Sequence, residues 1–227
     1  MKSSSLLAMS MLAAACLLPA TALAQDDASL WVGVSGGFAG EFNGEWDSQV
    51  RIGDIMVNAG DAIKDVDMET SWGGMLHYDV GVHPNIAIGG RLGYTSFLDR
   101  DRADEGWGRN SVVDLNFAPR FRFSPAGAAY ELYLGVPLGL SVVIFDEDWR
   151  RKGNVDFDPG LGFNVSGLAG VKLELDERFG LFAELGWTLH SFRLEGQTSG
   201  TVFNGVDVGL DGDFNQFAVN LGGTFQL

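Results

Sequence analysis

Hydrophobic and polar residues alternate with a period of two along most of the chain. In the clearest stretch, residues 132–142, Leu and Val at even positions alternate with Tyr, Gly and Ser at most odd positions. This period indicates β-strands, because successive side chains of a strand point to opposite faces of the sheet. Eight such segments are found, at 30–42, 71–82, 86–94, 113–123, 132–142, 161–175, 181–189 and 217–227.

The length of these segments separates two kinds of β protein. A soluble β-sandwich also alternates, but its strands usually have about five or six residues. Strands that cross a membrane need about 9–11 residues. In these segments one face is almost purely aliphatic and aromatic, whereas the other carries glycine and charge. The pattern predicts an all-β, transmembrane, antiparallel up-and-down β-barrel of eight strands, which closes because unpaired edges are costly in lipid.

The connections alternate between short and long. Short turns are predicted at 83–85, 124–127 and 176–178, and long connections at 43–70, 98–110, 144–159 and 191–213. Outer-membrane barrels keep short turns in the periplasm and long loops outside, so both termini are predicted to be periplasmic. Pro137 is an anomaly, because a proline inside a strand removes a hydrogen-bond donor from the ladder and nothing in the sequence explains it.

The first 24 residues have the pattern of a secretory signal peptide. Lys2 precedes an uncharged apolar run at 6–18, and small residues at 22 and 24 come directly before a cleavage site. Residues 25–227 are then predicted to form one barrel domain. A membrane helix needs about 20 apolar residues, more than this run has. Lipidation of Cys16 is the other alternative, but the usual leucine three positions upstream is absent.

Composition narrows the possible chemistry. Cys16 is the one cysteine, so the mature chain has no disulfide and no thiol chemistry. The net charge is −15, and loss of Lys2 makes it one unit more negative. An acidic protein repels nucleic acid, so no nucleic-acid partner is expected. We find no HExxH, phosphate-loop or nucleophile-elbow pattern, and we predict no enzyme activity, cofactor or metal site.

Charged residues on the polar faces predict an ionic network inside the barrel. The interior of an eight-stranded barrel is just wide enough for side chains to fill. If the turn at 124–127 is symmetric, Arg120 faces Glu131 across the hairpin, and Lys172 lies diagonal to Glu184. We predict a plug of salt bridges, with a gated ion path as the alternative. The network comprises Asp79, Arg91, Arg120, Glu131, Lys172 and Glu184.

Aromatic residues of the apolar faces fall at two levels, as in the interfacial girdles of membrane barrels. Those near the short turns are Phe121, Phe123, Phe179 and Phe225, and those about eight to ten residues further up are Trp72, Tyr94 and Trp187.

The last eight residues resemble the C-terminal assembly signal of outer-membrane barrels. Asn220, Gly222, Phe225 and Leu227 occupy its specified positions. An unpaired last strand can add to an exposed strand of the barrel assembly machinery. Residues 28–227 resemble the small eight-stranded OmpA-like/OmpX-like superfamily, "outer membrane protein β-barrel domain", in strand count and loop order. The resemblance implies a monomer in the Gram-negative outer membrane, in contact with its lipid and lipopolysaccharide.

We therefore expect a non-enzymatic barrel with a structural or surface-interaction role. The first alternative is a narrow pore or small-solute channel similar to the OmpW type, against which the ionic lumen counts. The second is a lipid A-modifying enzyme. Deacylases of that kind have a His and a Ser separated by one residue, whereas His190 and Ser191 are adjacent and so face opposite sides of a strand.

Overall fold

The computed structural model describes residues 28–47, 62–199 and 204–227, together with two short strands at 50–52 and 55–57. The predicted signal peptide, 1–24, lies outside the described residues. The strands are β1 (Ala28–Trp46), β2 (Val50–Ile52), β3 (Ile55–Val57), β4 (Ile63–Asp67), β5 (Ser71–His83), β6 (Ile86–Phe97), β7 (Asn110–Phe117), β8 (Arg120–Phe123), β9 (Tyr130–Gly135), β10 (Leu138–Ile144), β11 (Val155–Phe157), β12 (Gly160–Glu174), β13 (Phe179–Ser199) and β14 (Asn204–Gln226). Two short helices are α1 (Arg100–Asp104) and α2 (Asp148–Arg151).

Eight long antiparallel strands form a closed ring. β7 and β8 act as one interrupted strand, and so do β9 and β10. The others are β1, β5, β6, β12, β13 and β14, and each pairs with its neighbours in the chain. The last strand, β14, pairs with β1 and closes the ring. The predicted eight-stranded up-and-down barrel is confirmed.

The two interruptions lie side by side, each at a proline. Val136 donates to the carbonyl of Pro119 (3.2 Å), and Ser166 donates to the carbonyl of Pro137 (2.8 Å). Neither proline can return a hydrogen bond. The register is nevertheless the same on both sides of the gap, with Leu138 opposite Phe117 before it and Gly135 opposite Arg120 after it. Pro137 thus interrupts the ladder without shifting it.

The outer wall carries the apolar faces of the strands. All seven aromatic residues predicted for the two girdles are exposed on it. Phe179 contacts Phe225 near the short turns (ring centroids 5.1 Å apart), and Trp72 contacts Tyr94 further up (5.9 Å). Phe117 is also exposed on this wall, so aromatic side chains are not confined to the predicted girdles.

A bulge in β1 changes the face of every residue beyond it. The pairing with β14 shifts between Phe38 and Glu41, and Ala39 has a φ of 47°. A bulge inserts one extra residue into a strand. Phe42 therefore points into the barrel and stacks on Phe192 (6.2 Å). The period of two across the segment 30–42 predicts that Phe42 lies on the same outer face as Phe38, and the bulge makes that prediction wrong.

The predicted long connection at 191–213 is also wrong. β13 and β14 continue as a paired hairpin up to Ser199 opposite Asn204. Beyond the apolar wall the outward residues turn polar, as at Arg193 and Asp211, while the inward residues become apolar, as at Leu194. The alternation persists with reversed polarity, so the apolar-out pattern by itself predicts strands that end too early.

Candidate functional site in the lumen

Asp79 is the centre of a buried ionic layer near the short-turn end of the lumen. Asp79 is only 1% exposed. Ser29 Oγ (3.0 Å) and Trp31 Nε1 (3.3 Å) donate to its Oδ1. Arg120 donates to its Oδ2, and His77 Nε2 lies 3.3 Å from the same oxygen. Both carboxylate oxygens therefore have partners, as a buried charge requires.

Aromatic rings hold the guanidinium of Arg120 in place. Its central carbon lies 4.0 Å from the ring centroid of Trp31 and 4.8 Å from that of Tyr133. Nε and Nη1 have no hydrogen-bond partner, but the ring faces offer cation–π attraction. Trp31 also contacts Phe182 (5.1 Å). The layer is therefore part ionic and part aromatic.

A second ion pair lies next to this group. Arg91 Nη1 and Glu184 Oε2 are 2.9 Å apart. Tyr133 OH donates to Glu184 Oε1 (3.2 Å), and Asn220 Nδ2 donates to Glu184 Oε2 (3.2 Å). We refer to Asp79, Arg91, Arg120 and Glu184, with Trp31 and Tyr133, as the ionic layer.

The predicted pairing of Arg120 with Glu131 is wrong. Arg120 lies opposite Gly135, because the turn between β8 and β9 is not symmetric about 124–127 and Phe123 pairs with Leu132. Glu131 instead lies opposite Lys172 on β12, and one of its buried oxygens, Oε1, has no hydrogen-bond partner.

Lys172 and Glu184 are diagonal in register, since Lys172 pairs with Phe182 and Glu184 with Gly170. The ion pair formed by Lys172 is with Glu174 (3.6 Å). Four of the six predicted ionic residues thus meet in the ionic layer, and the other two lie nearer the short-turn mouth.

Asp114 organises a polar cluster that sequence reasoning did not assign. Ser141 Oγ (2.7 Å) and Asn164 Nδ2 (3.2 Å) donate to its Oδ1, and His190 Nε2 lies 3.1 Å from its Oδ2. Ser141 thus bonds to the acid and not to the histidine, which a nucleophilic serine requires as its base. Ser191 is exposed on the outer wall. The sequence carries one signal for this cluster, which is that its four polar residues fall on the lumen faces of four different strands.

The lumen changes character towards the long loops, where it is apolar. Phe97 stacks on Phe214 (4.9 Å), and Phe214 stacks on His190 (5.6 Å). The expectation of an ionic lumen is therefore wrong for this half. We refer to the following buried residues as the apolar layer: Met68, Phe97, Val112, Val143, Phe192, Leu194, Leu210 and Phe214.

The loops at 98–109 and 145–157 continue this layer outwards. Phe145 and Phe157 pack against it, and Phe145 stacks on Trp149 (5.0 Å). The guanidinium of Arg102 lies between Trp107 (4.2 Å) and Trp149 (3.9 Å). Cation–π contacts thereby join the two loops.

The residues of the predicted C-terminal assembly signal all take part in barrel contacts. Asn220 bonds to Glu184 in the lumen. A Cβ on Gly222 would lie 2.0 Å from the carbonyl oxygen of Val32. Phe225 lies on the outer wall, and Leu227 donates from its backbone to Ala28 (2.9 Å). Packing in the closed ring therefore accounts for the polar residue and the glycine as well.

In the described part of the chain, no group of three or more His, Cys, Asp or Glu side chains is placed to hold a metal ion. No helix there is long and apolar enough to cross a membrane.

Comparison with known proteins adds evidence on the fold. No family model matches the chain, and no curated protein matches its sequence. The outer membrane protein OprG from Pseudomonas aeruginosa is similar in structure, with a TM-score of 0.59 and 11% identity over 88% of this chain and 95% of that one. The chain has the fold of a small outer-membrane β-barrel. Neisserial surface protein A matches with a TM-score of 0.45 and 9% identity, over 88% of this chain and 99% of that one.

Proposed function

We propose that this chain is a non-enzymatic outer-membrane barrel with a structural or surface-interaction role and a lumen closed at two levels. The observation that carries the proposal is the pair of side-chain layers across the lumen. The ionic layer lies towards the short turns, and the apolar layer lies towards the long loops. An eight-stranded barrel leaves little room beyond its own side chains, so two filled layers leave no continuous water path.

The absence of enzymatic activity is supported by the geometry of the polar clusters. Ser141 and His190 are bridged by Asp114, so neither serine oxygen nor histidine nitrogen is poised for attack. His190 is only 1% exposed, out of reach of a lipid on the outer wall.

The proposal places the termini and short turns in the periplasm and the long loops outside, in keeping with the usual pattern of such barrels. Outer-membrane lipid and lipopolysaccharide then surround the apolar wall. The barrel assembly machinery engages β14 through its backbone before that strand pairs with β1, and the chain functions as a monomer. The oligomeric state is checked by cross-linking in native outer membranes, where a ladder of multiples would contradict it.

The lumen is tested by single-channel recording of the refolded mature protein in a planar bilayer. We expect no discrete current from the wild type, nor from Arg120→Ala or Phe214→Ala alone, because one layer still blocks the path in each. The double variant is expected to conduct. Reproducible wild-type openings would overturn the closed lumen.

A second candidate function is passage of small apolar solutes, which is favoured by the apolar layer itself. Phe97 and Phe214 line the outer lumen with aromatic surface, unlike the ionic half. An apolar fluorescent dye should then bind the folded protein, and Phe97→Trp should reduce that binding by filling the site. Equal dye binding by both proteins would count against this candidate.

A further inference from the structure

We propose that a polar chamber between the two layers is a binding site for a small monovalent cation, with ammonium as the type. The chamber encloses about 60 Å³. The proposal rests on the closed lumen proposed above. The polar lining of the chamber includes Arg91, Asp114, Asn116, Thr188, His190 and Gln216.

The size of the chamber restricts the guest. To hold one water molecule, a cavity must leave roughly 10–15 Å³ in which the centre of that molecule can lie, and the volume of the chamber is given in the same sense. The chamber therefore has room for a few water-sized particles. A dehydrated ammonium or alkali cation with one or two water molecules meets this limit.

The charge of the lining favours a cation. Arg91 is neutralised by Glu184 at 2.9 Å. The partners that the structure gives Asp114 are Ser141, Asn164 and His190, none of which carries a permanent positive charge. A buried carboxylate without a counter-charge is costly. Among the described lining residues, Asp114 is the anion that no arginine or lysine contacts.

Among the described residues, two buried atoms of the lining have no hydrogen-bond partner, which favours a guest that donates hydrogen bonds. They are Asn116 Oδ1 and His190 Nδ1, in residues that are 7% and 1% exposed. When Nε2–H of His190 donates to Asp114, Nδ1 is an acceptor. An ammonium ion beside Asp114 supplies a positive charge to the carboxylate and an N–H donor to Asn116 Oδ1, while a water molecule in the same chamber donates to His190 Nδ1.

Two glycines of the chamber lining leave space, and one of them, Gly93, lies beside this carboxylate. A Cβ on Gly93 would lie 3.5 Å from Asp114 Cβ and 3.6 Å from its Oδ2. A Cβ on Gly186 would meet nothing nearer than 3.6 Å. Alanine is sterically tolerated at both positions, so a methyl group can be used to take the room of the guest without a clash.

The test uses the mature protein, refolded in lipid vesicles in ammonium chloride or, at equal ionic strength, in tetramethylammonium chloride. The second cation carries no N–H group, so it cannot donate hydrogen bonds to the acceptors of the chamber. Binding to the folded state alone raises stability with ligand concentration. We expect the urea midpoint of unfolding to rise with ammonium concentration and to stay constant in tetramethylammonium.

Three variants sharpen the test. Asp114→Asn removes the charge with little change of shape, and Gly93→Ala reduces the space; both are expected to lose the ammonium dependence. Asp213→Asn, at an exposed acid of the outer wall, is expected to keep it. If Asp114→Asn does not refold, Gly93→Ala carries the comparison.

Two outcomes overturn the cation site. The first is an equal midpoint in the two salts, as expected if the chamber holds water alone. The second is an ammonium dependence that persists in both chamber variants. The salt comparison does not use conductance, so a wild-type current would refute the closed lumen separately.

Discussion

The two halves of the lumen are built from opposite kinds of side chain. Towards the short turns, Asp79 and Arg120 form a buried ion pair between aromatic rings. Towards the long loops, Phe97 and Phe214 stack in an aliphatic surrounding. Both layers cross the same ring of strands, so barrel geometry alone does not dictate how an interior is filled.

The difference follows from what lies outside each half. Where the outer wall faces lipid, the apolar side chains point outwards and the polar ones point inwards, so the interior must pair its charges. Where β13 and β14 extend beyond that wall, Arg193 and Asp211 point outwards. The interior there is apolar, as in a water-soluble protein. The lumen therefore changes character where the surroundings of the barrel change.

The largest expected effect comes from breaking the ionic layer. Asp79→Asn is expected to destabilise the barrel by about 3–5 kcal/mol, because it leaves Arg120 as a buried charge without its partner. Glu131→Gln should cost less, since Glu131 is not the partner of Arg120. Urea unfolding followed by gel mobility measures both. A larger loss of stability for Glu131→Gln than for Asp79→Asn would support the pairing of Arg120 with Glu131 that the sequence predicts.

A substitution in the apolar layer should lower the stability of the barrel less than a substitution in the ionic layer. Phe214→Leu keeps the site apolar but removes two ring contacts, with Phe97 and His190. Each aromatic pair is worth about 0.5–1.5 kcal/mol, so we expect a loss of roughly 1–3 kcal/mol in the same urea assay. Phe163→Leu, on the exposed outer wall, is the matched control. An equal loss of stability in both variants would mean that the apolar layer does not depend on the stacking of its rings.

Packing around the ionic layer can be tested at Gly222. Gly222→Ala places a Cβ against the backbone of Val32 and the ring of Phe182, and overpacking typically costs about 1–3 kcal/mol. Gly223→Ala is the control, because its Cβ would meet nothing nearer than 3.7 Å. Refolding in vitro without assembly machinery separates stability from recognition. Equal stability of the two variants would assign Gly222 to the assembly signal alone.

The smallest expected effect concerns ion pairs outside the lumen. Arg193 contacts Asp211 and Asp47, both at 2.9 Å, on the exposed outer wall. Surface pairs are worth about 0–1 kcal/mol, and salt screens them. Arg193→Ala should therefore cost less than about 1 kcal/mol, and less still in high salt. A loss as large as that of Asp79→Asn would erase the distinction between buried and exposed ion pairs.

Some features of the fold could be predicted because they are local. The period of two places Glu184 and Trp187 on opposite faces of their strand in any barrel. Segment length and polarity then distinguish a membrane barrel from a sandwich. The extra residue at Ala39 has no such signal, because glycine-rich alternation around it reads the same with or without a bulge.

The lumen contacts were less predictable than the list of lumen residues. The sequence placed Asp79, Arg120 and Glu131 inside the barrel, but the choice between the two acids as partner of Arg120 depends on a register that the six-residue turn after β8 sets. The period of two also places Asp114 on a lumen face, but it does not give the partners of Asp114, since Ser141 and His190 come from strands far along the chain.

The amino-acid sequence by itself determined which face of each long strand meets lipid, since that choice needs only side-chain polarity and the strand period. The tertiary structure alone decided which charges pair, how far β13 and β14 extend, and where the lumen turns from ionic to apolar. These depend on register and closure, because strands distant in the chain meet in the ring and a shift of one or two residues changes every contact across it.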